Sequence, residues 1–319
     1  MNANIRRNIL VLSGLLLTAV LLGLIKGAVK IPLQDLLSAA NQPILNMRLL
    51  RIITAILAGC GLAVSGIALQ AILRNPLAEP YLLGTSSGAG LAAVIAVILG
   101  ISHIYLPLAA FAGAIASMII VYNLAKEGTR ISDRSLILAG VIVSIALSAL
   151  IVFLVSIFGN LALHEMAWWL WGSMQVYDYR LVGLVAIPVI AGIIAIYFFS
   201  QDLNAISMGE EEAKHLGIDT QNMKKILIFV TALITASLIC ICGIIGFVGL
   251  IVPHMMRIIV GPNHKVLIPV TCIAAAVFMV ACDMLSRTLF APVEIPIGVI
   301  TAVIGAPVFI ILLKKCKRI

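Results

Sequence analysis

The run Gly84-Thr85-Ser86-Ser87-Gly88 satisfies G-x-S-x-G, the pattern of a nucleophile elbow. Such an elbow needs a strand before it and triad partners after it. Here the run opens a long apolar segment, so the serine has neither strand nor base, and acyl-transfer chemistry is rejected. Gly84, Gly88 and Gly90 also resemble a phosphate-cradling loop, but no Gly-Lys-Ser or Gly-Lys-Thr occurs anywhere in the sequence. The polypeptide is therefore not expected to hydrolyse ATP. The histidines at 103, 164, 215, 254 and 264 never approach metal-ligand spacing, and five of the six cysteines lie in apolar runs. A thiol in such a run behaves as a small hydrophobe, and structural metal sites need clustered ligands. Neither a metal nor another cofactor is expected.

What remains is charge. Glu210-Glu211-Glu212-Ala213-Lys214-His215-Leu216-Gly217 reads as one acid-led helical turn closed by a glycine. Acids at its start and Lys and His later complement the helix dipole, and Gly217 fits the left-handed terminal position. The turn is either a solvated connector or a docking element for a soluble partner. Arg48 and Arg51, three apart, share one helix face. Asp283 and Arg287 are four apart, which makes a local pair, or else Arg287 joins Arg48 and Arg51 in an outward basic rim for an acidic partner. Trp168, Trp169 and Trp171, beside Glu165 and Arg180, read as an interfacial aromatic belt. His254 and Arg257 read as packed or snorkelling. No chain of acids and histidines runs through the apolar segments, which argues against a proton-coupled pump.

The elements that must position these residues are apolar almost throughout. Hydrophobic residues make up 62% of 319 and charged residues 11%, and the mean hydropathy is +1.19. A soluble domain carries about a quarter charged residues, so a water-soluble fold is excluded. The net charge of +8 is scattered singly between apolar runs, which fits membrane orientation and not nucleic-acid binding. A membrane span needs about 20 apolar residues. Ten segments qualify: 9–25, 52–72, 81–101, 105–125, 135–158, 181–200, 226–241, 244–260, 266–286 and 296–313, with a break at Cys242–Gly243. The first, preceded by Arg6 and Arg7, reads as a span and not as a cleaved signal. The expected fold is all-α, a single polytopic transmembrane domain over 1–319. With ten crossings and the N-terminus inside, 15 of the 21 basic residues fall on the inner side, so both termini are expected in the cytoplasm. The one long hydrophilic stretch, 202–225, holds five of the 13 acidic residues and is placed there too.

Six motifs in order carry a family resemblance: RNPLAEPYLLGTSSGAG (74–90), LAGV (138–141), WWLWGS (168–173), GEEEAKHLGI (209–218), GIIGFVGLIVPHMMRIIVGPNHKVLIP (243–269) and EIPIGVITAVIGAPVFI (294–310). Together they resemble the FecCD-type permeases of binding-protein-dependent ABC importers, which carry iron–siderophore complexes, haem or cobalamin. The resemblance implies a type II importer permease of about ten spans in the cytoplasmic membrane. It implies pairing with a second copy or paralogue, two ABC ATPase subunits below, and a periplasmic or lipid-anchored binding protein above. By the same resemblance, Glu210, Glu211, Glu212, Ala213, Leu216 and Gly217 would couple to the ATPase. Arg48, Arg51 and Arg287 would meet acids of the binding protein, and Asn75, Leu77, Ser132 and Asp133 would form the cytoplasmic gate. Asp133 puts a charge where relatives have room for a neutral residue. An iron chelate is the favoured cargo, with cobalamin or haem as the alternative. An ion-coupled secondary transporter would instead need buried acids or amides around broken helices, and Asp283 is the only acid within an expected span. An intramembrane enzyme would need a paired nucleophile and base, and none pairs.

Overall fold

A computed structural model describes residues 3–29, 32–35, 38–128, 130–158 and 170–316. The expected tryptophan belt falls partly outside these: Glu165, Trp168 and Trp169 are not described, whereas Trp171 is and stands exposed. Twelve α-helices make up most of the described chain. They are α1 (Ala3–Ile25), α2 (Gln42–Ile72), α3 (Thr85–Ile98), α4 (Leu106–Ala125), α5 (Asp133–Phe158), α6 (Tyr179–Phe198), α7 (Ser200–Met208), α8 (Glu210–His215), α9 (Thr220–Cys242), α10 (Val248–Val260), α11 (His264–Thr288) and α12 (Ile297–Cys316). The only strands among the described residues, β1 (Lys126–Glu127) and β2 (Arg130–Ile131), pair antiparallel where α4 turns into α5.

All ten apolar segments expected from sequence carry a helix, but not ten equal ones. Among the described residues, seven helices are long and apolar enough to cross a membrane. Thr85–Ile98 and Val248–Val260 are shorter, and α12 runs 20 residues from Ile297 to Cys316. At 1.5 Å per residue a 13- or 14-residue helix reaches only about 20 Å, against a hydrocarbon core of about 30 Å. The expected break after Cys242 is present: α9 stops there and Gly243 turns at φ +67°. It is followed by four non-helical residues before α10 begins.

The central element is α2, whose apolar window is 78% buried. It packs on α11, α9, α10 and α6. The corresponding windows of α1 and α5 are only 6% buried, so these two stand at the periphery. Close approach of α2 to α10 depends on two glycines. A Cβ on Gly66 would collide with the carbonyl oxygen of Gly249, and one on Gly249 would come within 2.6 Å of Pro80. In lipid, where apolar transfer gives no drive between helices, such backbone contact supplies the packing.

The hydrophilic stretch is two helices, not one. α7 continues from α6 after a single residue, Phe199, and Gly209 separates it from α8. Leu203 of α7 is fully buried, and Asn204 Oδ1 accepts the backbone amide of His264 at 2.8 Å, fastening α7 to the start of α11. α8 ends in the Schellman pattern, with the Gly217 amide on the Lys214 carbonyl at 2.9 Å and the Ile218 amide on the Ala213 carbonyl at 3.0 Å. Gly217 takes φ +81°, the left-handed position its sequence context predicts. Asp219 then caps α9 by accepting the Asn222 amide at 3.1 Å.

Candidate functional site

One end of the bundle gathers α7 and α8, which together form a polar handle, the loop after α2 and the turn before α5. Asn75 Oδ1 accepts the Leu77 amide at 2.9 Å, which fixes a tight turn and leaves Leu77 exposed. Ser132 Oγ accepts the Ser135 amide at 3.4 Å and so helps to start α5. The two loops meet through charge: Arg74 Nη2 lies 3.3 Å from Asp133 Oδ2 and 4.0 Å from Glu210. Lys224, near the start of α9, bonds both Asp133 and Glu210 through its one ammonium group. Two cations and two carboxylates thus alternate in a closed, neutral group. The Gln221 side chain adds a further tie by accepting the Ile131 amide at 2.9 Å. Burial alone would raise the Glu210 carboxyl, yet the Lys224 hydrogen bond and the charges of Lys224, Arg74 and Lys214 hold it below the usual carboxylate range. A cavity of about 780 Å³ opens beside this group, between the β1–β2 turn and α8.

The six expected handle residues divide by direction. Glu211, Glu212, Leu216 and Gly217 face solvent. Glu210 turns inward to Lys224, and Ala213 is fully buried against Ala205, Ile206, Ile218 and Met223. Neither Ala213 nor Glu210 is on the outer face of the handle, because a six-residue helix needs one face to seat itself.

The opposite end holds the three arginines expected to meet the binding protein, Arg48, Arg51 and Arg287. Arg48 and Arg287 are 4% and 3% exposed, so the three do not form a solvent-facing rim. Arg51 donates through Nη2 and Nε to Asp283 Oδ1 at 2.8 and 3.1 Å, and through Nη1 to both oxygens of Glu294 at 2.8 and 3.0 Å. Arg287 Nε stands 3.1 Å from Asp283 Oδ2, an ion-pair contact without hydrogen-bond alignment, and its Nη2 donates to the Gly23 carbonyl at 3.2 Å. Arg48 donates to the carbonyls of Leu24 (2.6 Å) and Ile25 (2.9 Å), left unpaired where α1 ends, and to that of Val29 beyond it. Glu294 accepts a third contact, from Gln175 at 2.9 Å. Burial would raise its carboxyl, but Gln175 and Arg51 together hold it below the ordinary value. Three arginines against two carboxylates leave this cluster at +1. The local pairing of Asp283 with Arg287 was visible in sequence; the partners of Arg51 lie 232 and 243 residues away and were not.

A third polar assembly was missed altogether. Glu79, just outside an expected span, accepts the Phe247 amide at 2.8 Å. Tyr81 Oη donates to the Ile245 carbonyl at 3.1 Å and accepts the Ile245 amide at 3.0 Å. Between them they satisfy the non-helical backbone ahead of α10, where Phe247 is held at φ +70°. The sequence signal was an acid and a tyrosine flanking Pro80 before a glycine turn. Among the described residues, no group of three or more His, Cys, Asp or Glu could hold a metal ion.

This geometry has relatives. A family model described as the FecCD transport family matches residues 15–315. An uncharacterized ABC transporter permease, YvrB of Bacillus subtilis (strain 168), is 38% identical over 86% of this chain and 79% of its own length. The cobalamin import system permease BtuC of Halobacterium salinarum is 38% identical over 89% of this chain and 76% of its own. The vitamin B12 import system permease BtuC of Salmonella newport (strain SL254) is 37% identical over 98% and 97%. Among solved structures, a metal-chelate type ABC transporter in an inward-facing conformation superposes with a TM-score of 0.88 at 33% identity, covering 98% of this chain and 99% of that one. PsaBC from Streptococcus pneumoniae, at 17% identity and a TM-score of 0.59, shares the fold.

Proposed function

The chain belongs to the FecCD transport family, and we propose that it is the permease subunit of an ABC importer that moves a metal chelate across the cytoplasmic membrane. The whole chain serves as one membrane domain with both termini in the cytoplasm. The observation that carries this reading is the handle: two short polar helices on an otherwise apolar body, seated against the loops at 74–77 and 130–133, with Glu211, Glu212 and Leu216 left facing outward. A sequence without a phosphate-binding lysine motif needs its nucleotide cycle from outside, and the outward face of α8 is where ATPase subunits would bear. Asn75, Leu77, Ser132 and Asp133 serve as the inner gate, at the same end as the handle.

The binding protein docks at the opposite end. Of the three arginines there, Arg51 and its partner Glu294 have the most exposed side chains, 12% and 20%, so an acidic partner group would reach Arg51 by competing with Glu294. A second copy or a paralogue completes the pathway, and no cofactor takes part. Iron–siderophore cargo follows from the family resemblance. Cobalamin is the second reading, favoured by two relatives at 37 and 38% identity that carry that name. The test is uptake into cells expressing this chain with its cognate ATPase and binding protein. Radiolabelled cobalamin and a ferric siderophore are supplied separately. Uptake of either that stops with Glu211→Lys/Glu212→Lys, while the permease stays in the membrane, is the expected result. Uptake of both unchanged by that double substitution would remove the handle from the mechanism.

A further inference from the structure

The neutral group at the handle end draws one residue from each of four elements: Arg74 from the loop after α2, Asp133 from the start of α5, Glu210 from the start of α8, and Lys224 from near the start of α9. The members are not equivalent. Arg74 is 45% exposed at its side chain, whereas Lys224 is 2% exposed and is among the largest fully buried side chains of the protein. An ammonium buried to that degree is stable only when its donors are met. Here a single Nζ meets a carboxylate on either side, so Lys224 is the buried bridge between Asp133 and Glu210, while Arg74 reaches the same two from a 45% exposed side chain at 3.3 and 4.0 Å. Without it, two half-buried carboxylates would face each other and separate. The handle and the start of α5 are joined by this buried bridge and by the more exposed Arg74, whereas Gln221 reaches β2, not α8.

From this geometry we infer that Lys224 is a positioning residue for transport, clamping α8 to the first turn of α5 so that a push on the handle moves the gate loop as one body. The inference rests on the permease reading above and deepens it. A surface ion pair of this span would be a slack linkage, since exposed pairs contribute little and exchange with water. A buried lysine with two anionic partners is stiff, which is what transmission between two sites requires.

Amide hydrogen exchange on the purified permease alone tests the clamp without any assumption about cargo. In Lys224→Met, exchange over 209–218 and 131–137 should quicken at least tenfold relative to wild type, while α2 from 58 to 70 is unchanged; Lys224→Arg should stay within about threefold. Exchange unchanged in Lys224→Met, or quickened equally in Lys224→Arg, overturns the inference. Should Lys224→Met lose its α2 protection as well, Glu210→Gln, Asp133→Asn and their double mutant replace it. A bridging lysine makes their effects on exchange non-additive, and additivity overturns the bridge. In the assembled transporter, Lys224→Met should hydrolyse ATP within about twofold of wild type but carry at least tenfold less cargo per ATP. Equal loss of both, with the arginine variant no better, also overturns it. A wild-type complex that carries no chelate fails the permease reading instead, and the exchange result still stands.

Discussion

Asp283→Asn puts the arginine cluster to a quantitative test. The substitution keeps the side-chain volume and removes one charge from a site that is fully buried. Arg51 loses an anion it holds at 2.8 and 3.1 Å, and Arg287 loses one at 3.1 Å, which leaves two guanidinium groups sharing only Glu294. Removing one partner of a buried charge pair costs about 3–5 kcal/mol, most of it the desolvation of the charge left behind. Glu294→Gln provides the internal comparison. Its side chain is 20% exposed, water can replace part of what it gave, and the expected cost is about 1 kcal/mol. For a protein of this size each kcal/mol lowers the melting temperature by about 2 °C. In detergent, Asp283→Asn should therefore melt about 6–10 °C below wild type and Glu294→Gln about 2 °C below. The ordering is the sharper test, because detergent alters both alike. If Glu294→Gln melts as low as Asp283→Asn, the cluster is not organised around Asp283 and the reasoning fails.

Glu210 and Glu294 both have folded-state carboxyls held below the ordinary value. Each therefore contributes stability that is present above about pH 4.3 and is lost as pH falls through its folded value. Melting temperature should be level from neutral pH to about pH 5 and drop below that, and Glu210→Gln or Glu294→Gln should flatten part of the drop. Gly66→Ala should abolish the monodisperse folded peak in size-exclusion chromatography, because the added methyl meets the Gly249 carbonyl, a backbone atom that cannot rotate away; a normal peak would contradict the close α2–α10 crossing. Impermeant labels on single cysteines placed at 128 and 211 should react only after the membrane is permeabilised, and reaction in intact cells at either position would reverse the proposed orientation.

The ten apolar segments were legible because a bilayer imposes a composition, and composition survives without coordinates. Their depth was not. Just ahead of Thr85–Ile98, Glu79 and Tyr81 bond backbone that is 164 to 168 residues away. The same distance problem hid the arginine cluster. Arg48 and Arg51 were correctly placed on the expected helix near one end, and Arg287 beside Asp283, but exposure was inferred from terminal position. Sequence carries no sign that Asp283 and Glu294 would return to Arg51. The handle divided the other way: its caps, acids and Gly217 turn are local and were read directly, whereas the inward turn of Glu210 depends on Lys224, fourteen residues on. Asp133, which looked out of place as a gate residue, is accounted for by that same lysine.

The bonds from Glu79 and Tyr81 to the stretch ahead of α10 bear on how the chain is made. A ribosome finishes the first of these residues more than 160 positions before their partners exist. Through that interval a carboxyl and a phenol must wait, hydrated or provisionally paired, while five further apolar helices are threaded into the bilayer. Maturation of the amino-terminal half is then gated by synthesis of the carboxy-terminal half, and a polypeptide truncated before Gly243 would be left with an unquenched acid at its centre.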